Sequence, residues 1–191
     1  MMTQILFVQG GGEGTHDQWD NKLVDSLGNE LGPDYDIRYP LMPNEADPRY
    51  PTWKAALERE LADLDEGAIL IGHSIGGTIL INVLAERACE PALGAIVLIA
   101  APFAGQDGWT SEDIKPQPDL GARLPVGVPV FLYHGTTDGI VPAEHIDLYA
   151  KAIPGAHARR LDGRDHQLNN TLSEVAADIR QLPGCHGRSD T

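Results

Sequence analysis

Gly72-His73-Ser74-Ile75-Gly76-Gly77 is a G-x-S-x-G hexapeptide between a short apolar run, Ala68-Ile69-Leu70-Ile71, and a long apolar stretch from Ile75 to Arg87. A serine there can act as a nucleophile if a strand turns sharply into a helix, because the turn lifts its hydroxyl above the sheet. The glycines keep side chains away where strand and helix nearly touch. The helix N-terminus adds a positive dipole end beneath the oxygen. The bare pattern arises by chance in roughly 6% of chains of this composition, so the strand–helix context carries the reading.

A serine hydroxyl is a weak nucleophile without a base, and the base needs a carboxylate to orient it. Asp138 follows the apolar run Val128 to Tyr133, in His134-Gly135-Thr136-Thr137-Asp138-Gly139-Ile140-Val141-Pro142. His166 follows the next apolar run, in Asp162-Gly163-Arg164-Asp165-His166-Gln167. The chain order Ser74, Asp138, His166 is the order expected for a nucleophile at a strand–turn–helix junction. The developing oxyanion needs two backbone N–H donors. The amide of Ile75 supplies one. The glycine loop Gly10-Gly11-Gly12-Glu13-Gly14 supplies the other, with Gly11 the candidate and Gly12 beside it as a substrate contact.

Other readings of these residues are weaker. The glycine loop falls short of a dinucleotide fingerprint, since Thr15 takes the sixth position and no P-loop lysine follows. His73 is expected to pack beside the elbow and His134 to make a structural hydrogen bond. Asp107 and Asp113 are alternative triad acids. Asp162, Arg164 and Asp165 read as a solvated charged turn. No HExxH or carboxylate cluster points to a metal, and the serine chemistry needs no cofactor.

The elements that must position these groups alternate. Apolar strands are expected at 5–8, 36–39, 68–71, 95–99, 128–133 and 158–161. Helices are expected at 19–31, 52–64, 75–87, 142–153 and 172–182 from their apolar spacing. Strand followed by helix, repeated about five times, predicts an α/β three-layer sandwich, a mostly parallel sheet with helices on both faces. Near-continuous apolar strands agree with burial on both sides. Ligands bind beyond the carboxyl ends of such strands, where Gly11, Ser74, Asp138 and His166 all fall.

Length and composition set the frame. The chain has 191 residues, enough for one domain, expected at 1–183 with a flexible tail at 184–191. Its formal charge of −14 disfavours nucleic acid and anionic membrane partners. Two cysteines, Cys89 and Cys185, make no disulfide framework or metal pattern and fit a reducing cytoplasm. The start MMTQILFVQGGG lacks the basic region and apolar length of a signal peptide. No segment approaches the length of a membrane span.

Together these residues resemble the α/β-hydrolase superfamily. The elbow is similar to its GHSxGG form, residues 134–142 to its HGxxDxxVP segment with the triad acid, and residues 163–166 to its late GxxH. Val8-Gln9-Gly10-Gly11-Gly12 with Trp19 resembles its HGGG oxyanion loop and the tryptophan beyond, except that Gln9 replaces the usual histidine. The resemblance spans about residues 3–182. It implies a minimal fold of six strands in the order 2-1-3-4-5-6, without the superfamily's first two antiparallel strands. Only residues 100–126 stand where relatives insert a lid, so no cap domain is expected. The nearest likeness is to small lidless serine hydrolases such as the retinoblastoma-binding-protein-like esterases.

The resemblance implies hydrolysis of small carboxylic esters or thioesters through a Ser74–His166–Asp138 triad and an acyl-enzyme. Phe103 and Trp109 are candidates to line the open site, or else belong to the core. Two alternatives stay open on the same fold: a catalytically weak binding protein, and an amide or C–C bond hydrolase.

Overall fold

The computed structural model describes residues 2–86 and 92–183. The end of the expected 75–87 helix, both cysteines and the 184–191 tail lie outside those residues.

Six short runs form the strands: β1 (Thr3–Val8), β2 (Tyr35–Arg38), β3 (Ile69–His73), β4 (Ala95–Ile99), β5 (Val130–Gly135) and β6 (His157–Leu161). They make one sheet in the order β2-β1-β3-β4-β5-β6, and every pairing is parallel. The six-stranded α/β fold expected from the sequence is what the chain adopts. The register sets Ile5 beside Ile69, Ile69 beside Ala95, and Ile96 beside Val130.

Alternation along each central strand divides the core into two layers. Leu6, Val8, Leu70, Ile96, Leu98, Val130 and Leu132 face one layer. It is closed by α2 (Tyr50–Ala62), α3 (Ser74–Glu86), the short α4 (Leu120–Arg123) and α5 (His145–Ala152). Ile5, Phe7, Ile69, Ile71, Val97 and Ile99 face the other, closed by α1 (Asn21–Leu31) and α6 (Ser173–Ile179). Trp53 on α2 is fully buried and donates its indole N–H to the Pro43 carbonyl at 2.8 Å. α3 buries every residue from Gly76 to Ala85, which explains its lack of a polar face.

The outer strand β6 is different. His157 to Arg160 are exposed, and Arg159 pairs with Asp178 at 2.6 Å. An edge carrying arginines resists pairing with another chain. It also explains the faint apolar signal at 158–161.

One expected helix starts later than its spacing suggests. Residues 15–20 form a π-helical turn, and α1 begins only at Asn21. The wider turn adds a residue per revolution and shifts which side chain faces inward. Asp20 is completely buried, whereas Trp19 is 51% exposed beneath the Lys22 ammonium. Trp19 is therefore not a core position of the helix. The short α4 and a 3₁₀ turn at Leu168–Asn170 have no counterpart in the expected elements.

Candidate active site

β3 ends at His73 and α3 begins at Ser74 without a linker. Ser74 makes that corner with φ 52°, a left-handed conformation that a non-glycine residue adopts only under strain. The flanking glycines are demanded by contact. A Cβ on Gly72 would stand 2.4 Å from the Gly77 Cα, and one on Gly76 would stand 1.9 Å from the Gln9 carbonyl oxygen. Strand, helix and glycine loop thus touch backbone to backbone around the serine.

His166 reaches this corner from the loop after β6. Its Nε2 lies 3.1 Å from Ser74 Oγ, and its Nδ1 lies 2.8 Å from Asp138 Oδ2. The ionised carboxylate can only accept, so Nδ1 carries the proton and Nε2 is left as the acceptor for the serine hydroxyl. Such a relay can take a proton from an attacking hydroxyl and return it to a leaving group. The expected Ser74, Asp138 and His166, scattered over 93 residues, stand within one hydrogen-bonded chain.

The Asp138 side chain is inaccessible to solvent. Burial alone would push its carboxyl up. Hydrogen bonds from His134, His166 and the amides of Val141 and Ile140 outweigh that and hold it well below the usual carboxylate range. The two amides reach Oδ1 at 2.8 and 2.9 Å. His134 Nε2 lies 3.0 Å from Oδ2 and 2.9 Å from the Val141 carbonyl. His134 has the structural role its position implied, as a further donor to the acid.

The glycine loop after β1 spends the amides of Gly10, Gly12 and Gly14 on the scaffold. Gly10 N–H donates to Asp20 Oδ2 at 2.7 Å, and Gly12 N–H to the Glu45 carbonyl at 2.7 Å. Among the described residues, Gly11 N–H has no acceptor. A Cβ on Gly11 would collide with Ile75 Cγ2 at 2.9 Å and with Pro48 Cγ at 2.6 Å, so Gly11 abuts the start of α3. The Ile75 amide belongs to the first turn of that helix, where amides lack intrahelical acceptors.

Gln9, the departure from the family pattern, is fully buried. Its Nε2 donates to Glu45 Oε2 at 2.6 Å, and its Oε1 accepts the Met42 amide at 2.9 Å. Glu45 also accepts the amides of Gly14 at 2.6 Å and His16 at 2.9 Å. The amide side chain both donates and accepts, so it clamps the glycine loop to the segment after β2.

Asp20 was not singled out by its sequence. It accepts from Gly10, from Gln167 Nε2 at 3.0 Å and from His73 Nδ1 at 2.9 Å. His73 Nε2 in turn faces the His166 carbonyl at 3.0 Å. The only sequence signal was an aspartate one loop after β1 with a histidine preceding the serine.

Phe103, Trp109, Gly12 and Asp113 make no hydrogen bond or ring contact with Ser74, Asp138 or His166 among the described residues. The Phe103 ring sits edge-on to Tyr149 at 5.0 Å and packs against the apolar layer. It lines a cavity of about 530 Å³ with Leu148 and Lys151, whose lining includes none of Ser74, Asp138 or His166. Trp109 is 42% exposed and edge-on to His145. Gly12 turns with φ 126° and serves the Glu45 contact. Asp113 is paired with Arg49 at 3.5 Å, and the His166 Nδ1 it was an alternative partner for faces Asp138 instead. Arg164 is not simply solvated: it grips Glu174 at 2.7 Å and the Leu168 carbonyl at 2.9 Å. Among the described residues no cluster of three His, Cys, Asp or Glu is arranged to hold a metal, and no helix is long and apolar enough to cross a membrane.

A six-stranded parallel sheet with a strained serine between β3 and α3 defines a class, the α/β serine hydrolases. Within it, the chain belongs to the serine hydrolase family, whose model matches residues 5–170. Comparison with curated proteins gives no match. Among solved structures, the ydeN gene product of B. subtilis is 20% identical, with 93% of this chain and 98% of that one covered and a TM-score of 0.68. Est1E of Butyrivibrio proteoclasticus is 17% identical over 94% and 86%, with a TM-score of 0.67. The esterase RhEst1 of Rhodococcus sp. ECU1013 is 19% identical over 95% and 91%, with a TM-score of 0.63. At these identities the likeness is one of fold.

Proposed function

We propose that this serine hydrolase cleaves small carboxylic esters or thioesters through Ser74, His166 and Asp138. The observation that carries the reading is the unbroken chain from Asp138 Oδ2 through both nitrogens of His166 to the hydroxyl of a strained serine. Ser74 Oγ attacks the acyl carbon while its proton passes to His166 Nε2. Asp138 holds the ring in that tautomer and balances the imidazolium charge. The Gly11 and Ile75 amides donate to the oxyanion. As the tetrahedral intermediate collapses, the C–O or C–S bond breaks and His166 protonates the departing alcohol or thiol. Water then attacks the acyl-serine, giving its proton to His166. The carboxylate leaves, and Ser74 regains its proton. No cofactor enters this sequence.

The short 100–126 interval has one four-residue helix, α4, and leaves the serine without a helical cap. An open mouth favours small or surface-presented acyl groups over long buried chains. Gln9, in place of the usual histidine, is a weak argument for a binding protein with an idle site, and its two hydrogen bonds to Glu45 and Met42 support the hydrolase reading instead. p-Nitrophenyl acetate and butyrate turnover tests the proposal, run beside Ser74→Ala and His166→Ala. Both variants are expected to fall by about 10³-fold or more. Wild-type turnover no faster than that of Ser74→Ala would overturn it.

A further inference from the structure

Behind the relay lies a second acid–imidazole pair that the proposed chemistry does not use. We propose that Asp20 and His73 form a buried carboxylate–imidazolium pair, charged through the neutral range, and that it acts as a positioning device for Ser74 and His166. This rests on the triad reading above.

Donor and acceptor counting supports the charge state. The His166 carbonyl can only accept, so His73 Nε2 carries a proton. His73 Nδ1 faces Asp20 Oδ2, which already accepts the Gly10 amide at 2.7 Å. A bare Nδ1 there would set lone pair against lone pair, unless the carboxyl were protonated. A protonated Oδ2 would be a poor acceptor for the Gly10 amide, which lies 2.7 Å from that same oxygen. With the proton on Nδ1, every donor in the cluster meets an acceptor. Both side chains are essentially inaccessible, so such mismatches could not be relieved by bulk water.

The electrostatics agree. Burial opposes charge on both groups. The charge and hydrogen bond of Asp20 override it and raise His73 above its ordinary value, with smaller help from the His166 carbonyl and Asp138. The partner contacts likewise overcome burial and lower Asp20. The other titratable groups facing the pair are the His166 ring, 4.9 Å from His73 between centroids, and Tyr39. Burial and then the Asp20 charge keep the Tyr39 phenol protonated.

The pair meets three of the segments that build the site. Asp20 holds the Gly10 amide, one residue from Gly11, and the Gln167 side chain, one residue from His166. His73 precedes Ser74 and holds the His166 carbonyl. Glycine loop, elbow and histidine loop therefore share one buried anchor. Neither residue touches the reacting atoms, so loss of the anchor should lower kcat and leave KM unchanged.

The test has two arms. In the full-length wild type, long-range ¹⁵N–¹H spectra should show both ring nitrogens of His73 protonated at about pH 8, where an ordinary histidine is neutral. Asp20→Asn should return His73 to a singly protonated ring and cut kcat on p-nitrophenyl acetate by about 10²-fold, with KM within about twofold. A singly protonated His73 in the wild type overturns the charge assignment, whether or not Asp20→Asn folds. A folded Asp20→Asn with wild-type kcat overturns the positioning role. Fluorophosphonate labelling of wild-type Ser74 is scored separately: its failure would sink the triad reading, while the His73 spectrum would still be readable.

Discussion

Gly76→Ala tests how tightly the elbow is bound to the glycine loop. The added Cβ would stand 1.9 Å from the Gln9 carbonyl oxygen, 2.9 Å from its carbon and 3.0 Å from the Val8 oxygen. Ordinary contact begins near 3.4 Å, so helix and loop must part by about 1.5 Å. Neither side can yield cheaply. Gln9 is clamped through its side chain to Glu45 and Met42, and α3 is buried along ten consecutive residues. Overpacking of this kind costs about 1–3 kcal/mol, and a collision with backbone belongs at the top of that range. The displaced carbonyl lies two residues before Gly11. A shift of about 1 Å between the Gly11 amide and Ser74 should therefore lower kcat by about 10²-fold.

Urea unfolding and p-nitrophenyl acetate turnover measure the two effects in one preparation. Gly139→Ala is the matched control. It neighbours Asp138, yet a Cβ there meets nothing within 4 Å and its φ is not positive. It should stay within about 0.5 kcal/mol of wild type. Wild-type midpoint and kcat in Gly76→Ala would refute the backbone contact, and with it the account of why glycine stands at this position.

Two further predictions follow from the hydrogen bonds. Asp138→Asn should lower kcat by about 10⁴-fold, because the amide cannot fix the His166 tautomer. Its stability effect has a definite sign. Asp138 is held below its ordinary 3.8, so its contribution is full above that value and is lost as pH falls through the lowered one. The variant should be less stable at neutral pH, and the gap should close in acid-unfolding curves; a gap that widened with acid would contradict the assignment. Gln9→Ala leaves the Met42 amide and one Glu45 contact unpaired, at a cost of about 2–3 kcal/mol in urea unfolding. A Gln9→Ala protein as stable as wild type would mean that the clamp is not needed to hold the glycine loop.

The sheet and the relay were legible because each rests on local pattern. Buried parallel strands read as apolar runs, and Ala95–Ile99 matches its run at both ends. Ser74 and Asp138 each follow such a run, and His166 follows the exposed edge strand β6, so topology gathers all three. The anchors behind them left no local trace. Asp20 lies in His16-Asp17-Gln18-Trp19-Asp20-Asn21-Lys22, which reads as a solvated helix start. Its burial depends on a π-helical phase shift and on His73, 53 positions away. Gln9 read as a departure from a pattern, since its worth depends on Glu45, 36 positions away. Short elements such as α4 carry too few residues for a period to show.

The same physical problem explains why these anchors are acidic. Loops at the carboxyl ends of the strands lack a ladder, so their amides need other acceptors or water. Asp20 takes the Gly10 amide, Glu45 takes those of Gly14 and His16, and Asp138 takes those of Ile140 and Val141. Each carboxylate also receives a side-chain donor from a different part of the chain: His73, Gln9 and His166 respectively. Asp20 and Asp138 thus each close a loop onto itself and fasten it to a neighbour, while Glu45 fastens the glycine loop to the segment after β2. Charge-assisted bonds of this kind are stronger than neutral ones, which lets a site without a cap hold its geometry through the loops themselves. Part of the acidic character that argues against polyanionic partners is therefore turned inward, as the acceptors around which the loops are built.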